Sequence, residues 1–131
     1  MPKGTRSPRR VDHCSDYLLN VASGDVLDFH NEDSGLSDVN KTYLANATID
    51  KDSFLAYVYM GDLATGAFGL NSKIAFSVNY LGPEKAVVGA ARNFASRALL
   101  AATTWDQALE AAAPPNFSAG HNYQIMDLQN K

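Results

Sequence analysis

Cys14 is the only cysteine among 131 residues, and after one strand-like run and a glycine turn it is followed by the polar cluster His30-Asn31-Glu32-Asp33. A thiol attacks an amide carbonyl once a base has taken its proton. Two kinds of base are open to Cys14. One is a histidine brought close by the fold, with His30 or His121 as the candidate, because His13 would face the other side of a strand from its neighbour. The other is the α-amino group freed if the peptide bond before Cys14 is cut, which titrates near about 7.7–8.0, where a general base works well at neutral pH. A single cysteine excludes an internal disulfide framework and any multi-cysteine metal site. No metal or cofactor is expected.

These groups need elements that bring them together. Residues 17–21 and 26–29 are short apolar runs joined by Ala22-Ser23-Gly24-Asp25, which predicts a β-hairpin. Residues 32–41 form a polar loop directly after the suspected site, where a substrate-facing loop would be useful. Residues 43–49 alternate as an exposed strand does, residues 54–60 are apolar on both faces as in a central strand, and 67–70 and 74–80 are further strands. Beyond Gly82-Pro83 the period lengthens. Val88, Ala91, Ala95, Ala98, Leu99 and Ala102 fall on one helical stripe. Thr104 with Gln107 predicts a capping box opening a second helix, whose apolar face is Trp105, Ala108, Leu109 and Ala112 and which Pro114-Pro115 ends. Residues 123–128 read as a last strand. Strands, a helical pair and a renewed strand predict an α+β fold, a sheet packed under helices.

The chain has a formal net charge of −3, which conceals a division. Lys3, Arg6, Arg9 and Arg10 precede Cys14, leaving 7 of the 11 basic residues beside 13 of the 14 acidic ones. An acidic body excludes nucleic acid as a partner, and the basic start reads as a removable leader over residues 1–13. No apolar run approaches the roughly 20 residues of a membrane span, and the cytoplasm is the expected compartment. The sequons at Asn40, Asn46 and Asn116 would matter only in a secreted protein.

Several pieces together resemble one family. His13-Cys14-Ser15-Asp16-Tyr17, Ser23-Gly24-Asp25, His30-Asn31-Glu32-Asp33, Gly69-Leu70-Asn71-Ser72 leading to Ser77-Val78-Asn79-Tyr80, Arg97-Ala98-Leu99-Leu100 and Asp106-Gln107-Ala108 stand in the order seen in the acyl-coenzyme A:6-aminopenicillanic acid acyltransferase family of N-terminal-nucleophile hydrolases. The chain is most similar there to the animal β-alanyl-dopamine (carcinine) hydrolases, and more distantly to bile-salt hydrolases and penicillin V acylases. The resemblance implies an αββα sandwich of which residues 14–131 hold the first part. The family's second asparagine and later arginine would lie beyond Lys131, so an open sheet edge and exposed apolar surface are expected.

The resemblance also implies roles. Cys14 would be the nucleophile, exposed by self-cleavage, with its α-amine as base. Asp33 would orient that amine, and Asn79 would stabilise the oxyanion. His30 stands where bile-salt hydrolases have an arginine, and with Tyr17 it is expected to contact substrate; Tyr57, Tyr59 and Phe68 would line the same pocket. The strand before Asn79 is one residue shorter than is usual in the family, and a slip of one residue would turn Asn79 to the other face. The implied reaction is cleavage or transfer at a linear amide bond through a thioester, on a small-molecule amide or acyl donor such as β-alanyl-dopamine, with the processed subunits pairing. Two alternatives remain: a non-catalytic fragment or interaction module that keeps the fold's first half, and a cysteine peptidase with a conventional dyad.

Overall fold

Gly24 takes φ +88°, a backbone conformation that costs glycine nothing, and the turn it makes is closed by Gly24 N–H on the Val21 carbonyl at 2.9 Å. In a computed structural model, which describes residues 14–83, 85 and 87–130, this turn joins β1 (Ser15–Asn20) to β2 (Val26–Asn31) as an antiparallel pair. A single 3-10 turn at Leu36–Asp38 interrupts the polar loop that follows.

The other five strands form one antiparallel sheet. They are β3 (Thr42–Ile49), β4 (Asp52–Tyr59), β5 (Phe68–Asn71), β6 (Ile74–Leu81) and β7 (Gly120–Asp127), in spatial order β3-β4-β5-β6-β7. Alternation along β4 and β6 divides the faces. Phe54, Ala56, Val58, Ile74 and Phe76 are buried against Leu99, Leu100, Ala102 and Ala108 from α1 (Arg92–Ala101), its end and α2 (Trp105–Ala112). Tyr57, Tyr59, Phe68, Leu70 and Asn79 lie on the opposite face, under the β1–β2 hairpin. The result is an α+β arrangement in three layers, helices on sheet on hairpin. No helix among the described residues is long and apolar enough to cross a membrane.

The Gly69-Leu70-Asn71-Ser72 motif is explained by packing. A Cβ on Gly69 would stand 2.8 Å from Leu100 Cδ2, so glycine lets α1 settle on β5. Asn71 then fastens the two together. Its amide nitrogen donates to the carbonyls of Leu100 and Ala102 at 3.0 and 2.8 Å, and its Oδ1 accepts from the N–H groups of Lys73 and Ile74 at 2.7 and 2.8 Å. Each such bond contributes roughly 0.5–1.5 kcal/mol net. Asn71→Ala should therefore lower unfolding free energy by about 2–4 kcal/mol, read as a fall in the urea midpoint at unchanged slope.

Helix α1 begins later than the apolar stripe predicts. Val88 is fully exposed and lies at a bend, Ala90 makes an isolated bridge to Phe117, and the helix starts only at Arg92. The reason is a backbone contact the stripe cannot register: Ala90 N–H donates to the Asn116 carbonyl at 2.8 Å, and Ser118 N–H donates back to Ala90 O at 3.0 Å. A Cβ on Gly89 would lie 2.0 Å from Asn116 O, so only glycine admits this approach. The cap of α2 agrees with expectation, since Thr104 Oγ1 accepts from Gln107 N–H at 3.3 Å. The Gln107 side chain reaches back one residue further than in the usual box, to Thr103 N–H at 2.9 Å. Of the four residues assigned to the apolar face of α2, Ala108 is fully buried while Trp105 and Leu109 are exposed.

His121, on β7, sits among Tyr80, Phe117 and Tyr123, with Nδ1 buried and closing no well-formed hydrogen bond. Burial, and secondarily Arg92, hold its pKa below the usual histidine value. Below about pH 6.5 the unfolded chain then takes up a proton that the folded chain refuses, so this residue's effect on stability worsens as pH falls. In His121→Asn the loss of stability between pH 7 and pH 5 should be smaller than in the native chain, by thermal unfolding at both pH values.

Candidate active site

The hairpin register decides which side chains meet. Asp16 lies opposite His30 and Ser15 opposite Asn31, so one step further Cys14 faces Glu32. Cys14, Asp16, His30 and Glu32 all face the five-stranded sheet. Cys14 Sγ donates to Glu32 Oε2 at 3.1 Å, and His30 Nε2 lies 2.8 Å from the same oxygen. On its other side, His30 Nδ1 lies 2.6 Å from Asp16 Oδ1. Asp16 Oδ2 accepts from Asn79 Nδ2 of β6 at 2.6 Å, and Tyr59 of β4 donates its hydroxyl to Glu32 Oε1. A continuous chain of polar groups thus runs from the thiol to Asn79.

Buried among so few donors, this chain sets its own charges. His30, between two carboxylates, is held above the usual histidine value, foremost by its bond to Glu32 and then by Asp16, against the opposing effect of burial. Glu32 is pulled below the usual glutamate value: burial acts to raise it, but bonds from His30, Tyr59 and Cys14 together outweigh that. Burial, with Glu32 adding to it, pushes the Cys14 thiol up, opposed by backbone N–H groups of Asp33 and Tyr80 aimed at the sulfur. Tyr59 is pushed up by burial and by the Glu32 carboxylate.

Two cavities flank the chain. One, of about 410 Å³, opens over the thiol and is lined by Cys14, Glu32, Ser34, Tyr59, Tyr80 and Arg92 among others. The second, of about 550 Å³, lies between β2 and the large sheet, with Val26, His30, Phe68, Leu70, Ala75 and Met126 in its mostly apolar wall. His30 forms part of the wall of this second chamber while its Nε2 bonds the carboxylate that holds the thiol. Asp28 also faces this chamber. It approaches the buried Ser77 hydroxyl without either group closing a well-formed hydrogen bond.

The expected site residues are distributed unevenly. Cys14, His30 and Asn79 come together, and Asn79 faces the hairpin despite the shorter strand before it. Asp33 meets Cys14 through its backbone N–H, while its carboxylate turns away and accepts from Asn31 Nδ2 at 3.1 Å. Tyr17 is 64 % exposed and packs on Phe29, with ring centroids 6.4 Å apart, on the outer face of the hairpin, away from the thiol. Tyr59 and Phe68 line the two cavities, and Tyr57 stacks on Phe68 at 5.2 Å. Glu32, Asp16 and Tyr59 are central here, yet composition assigned the first two no role. Hairpin register was the signal that could have found them: counting outward from Ser23 puts Asp16 with His30 and Cys14 with Glu32. Residues 1–13, and with them His13 and the bond that self-processing would cut, lie outside the described residues.

A family model described as acyl-coenzyme A:6-aminopenicillanic acid acyl-transferase matches residues 21–131. The chain belongs to that family. No curated protein and no solved structure matches it. The acyltransferase family match takes in His30, Glu32, Asp33, Tyr59 and Asn79 and begins after Cys14 and Asp16. Acyl-transfer and amide-bond chemistry is the activity of this family, and a thiol set among hydrogen-bond donors beside a cleft is compatible with it.

Proposed function

We propose that the protein is an amide hydrolase or acyltransferase in which Cys14, freed as an N-terminus by self-cleavage, is the nucleophile and its own α-amine the base. The observation that carries this reading is that both side-chain bases near Sγ are already spent. Glu32 accepts from His30, Tyr59 and Cys14 at once, and both ring nitrogens of His30 face carboxylates. An ordinary thiol and an ordinary glutamate differ by about 4 pKa units, so proton transfer to Glu32 runs uphill by about 6 kcal/mol. The shifts at Cys14 and Glu32 widen that gap. An α-amine lies within about one unit of a thiol, which makes it the better-matched base.

In the proposed reaction the sulfur attacks the amide carbonyl, and the α-amine takes the thiol proton and passes it to the departing amine. Water or a second amine then takes the acyl group from the thioester. Asn79 supplies a donor to the oxyanion: its amide nitrogen has two hydrogens, and Asp16 takes only one. Asp33 orients the α-amine once cleavage has rearranged the chain end. Helices on sheet on hairpin supports three layers of an αββα sandwich. Hydrolysis of an N-β-alanyl aromatic amine in the cytoplasm is the proposed role. The apolar chamber suits the aromatic ring, and the loosely held Asp28 suits the ammonium group of β-alanine.

Mixing the chain with β-alanyl-dopamine should release β-alanine and leave a transient β-alanyl adduct on Cys14 in the intact mass. An adduct formed only from other acyl donors would remove the substrate assignment. Absence of any adduct, across amide and thioester donors, would remove the mechanism.

A further inference from the structure

We propose that Cys14, His30 and Glu32 form a binding site for Zn²⁺ that reversibly silences the nucleophile. Sγ, a ring nitrogen and a carboxylate oxygen of these three residues all lie within 4.8 Å of one another. One sulfur, one imidazole and one carboxylate form a donor set suited to zinc, whereas magnesium and calcium take predominantly oxygen ligands in larger number. Three protein ligands leave the fourth tetrahedral position open, and Cys14 and Glu32 both line the 410 Å³ cleft through which a cation would enter.

What stands behind the ligands strengthens the case. A zinc-bound histidine ordinarily donates its other ring N–H to a carboxylate, which sets the tautomer and aims the ring. His30 has that partner in place: Asp16 Oδ1 is 2.6 Å from Nδ1, leaving Nε2 for the metal. Glu32 is held in the same way by the Tyr59 hydroxyl on Oε1, with Oε2 turned toward Sγ and Nε2. Asp16 is in turn held by Asn79. Oε2 is now 3.1 Å from Sγ and 2.8 Å from Nε2. Ligands around a tetrahedral zinc stand about 3.3–3.6 Å apart, so these two separations must open by roughly half an ångström. Cys14 precedes β1 and Glu32 follows β2, so both lie just outside the hairpin's paired strands, where such a movement disturbs little.

On binding, the S–H bond is replaced by S–Zn and the thiol proton leaves to solvent. The proton on Nε2 leaves likewise, while Nδ1 keeps its proton on Asp16; nothing is oxidised or reduced. The thiolate electron pair is then committed to the cation and unavailable to a carbonyl. Silencing rests on the reading of Cys14 as the nucleophile, but binding does not.

The test therefore reads metal binding without turnover, on the whole 131-residue chain. Calorimetric titration with Zn²⁺ should give one site, weakened at least tenfold in Cys14→Ser and in His30→Gln, and about 10- to 100-fold in Asp16→Asn. Co²⁺ in place of Zn²⁺ should show a thiolate-to-metal charge-transfer band that Cys14→Ser lacks. Equal Zn²⁺ affinity in the native chain and Cys14→Ser, or a Co²⁺ spectrum without that band, overturns the proposal. If a variant fails to fold, the native chain still decides. Cys14 is the only thiol, so Zn²⁺ should slow its alkylation by iodoacetamide in the intact mass, and an unchanged rate overturns the site. A chain that turns over amides yet fails these tests loses only this inference; one that binds zinc through Cys14 without turning over amides loses only the proposed function.

Discussion

Cys14→Ala is expected to retain residues 1–13 in the intact mass while the native chain loses them, and to lower amide hydrolysis by at least about 10⁴-fold. Both effects follow from one atom. The sulfur is the only thiol in the chain, and self-cleavage and substrate attack each require a nucleophile at that place. Backbone N–H groups of Asp33 and Tyr80 aim at Sγ and would favour its thiolate, which Glu32 and burial oppose. The same substitution should change stability little, because the residue is only partly buried and sits ahead of the first strand. Mass spectrometry and calorimetry of the two proteins, side by side, separate chemistry from folding. Retention of residues 1–13 in a native chain that hydrolyses amides would reject the α-amine as base and return the assignment to a conventional dyad.

Asn79→Ala should lower kcat by about 10²–10³-fold with KM changed much less, since an oxyanion donor acts on the transition state and hardly at all on bound substrate. The structure adds a qualification that can be measured. Asn79 also holds Asp16, which holds His30, so removing it loosens the polar chain as well as the oxyanion donor. Asn79→Asp separates the two roles. It removes the amide donors and sets a second carboxylate against Asp16, so it should be at least as inactive as the alanine variant and less stable. Equal kcat in the native chain and Asn79→Ala would exclude Asn79 from the oxyanion site.

Local signals made much of the architecture legible. The turn around Gly24 and the Thr104 cap of α2 depend on backbone angles and hydrogen bonds that a few neighbouring residues determine. Strands β3 to β7 showed themselves through alternation or apolar runs because each lies in a sheet with one face against helices. Where a distant segment intervened, the pattern failed. The stripe through Val88 predicted helix, and bonding of Ala90 to the backbone of residues 116–118 held the start of the stripe out of it. Trp105 and Leu109 fit the apolar face of an amphipathic helix, yet the side they occupy meets no part of the described chain closely enough to bury them.

The site divides along the same line. Residue type singled out Cys14 and His30, because a nucleophile and a base need particular functional groups, and the resemblance to the acyltransferase family added Asp33 and Asn79. Which of these groups touch was decided by pairing register and by the meeting of two sheets. An odd or even place on a strand sends a side chain inward or outward, so Glu32 reaches the thiol while the carboxylate of its neighbour Asp33 does not. Asp16 and Tyr59 became part of the site only when the hairpin closed over the large sheet, which brought residues 63 positions apart within 2.6 Å. By itself, then, the sequence determined the chemical groups and the local elements that carry them; the tertiary structure decided their partners and their charges, because both depend on distances that only packing sets.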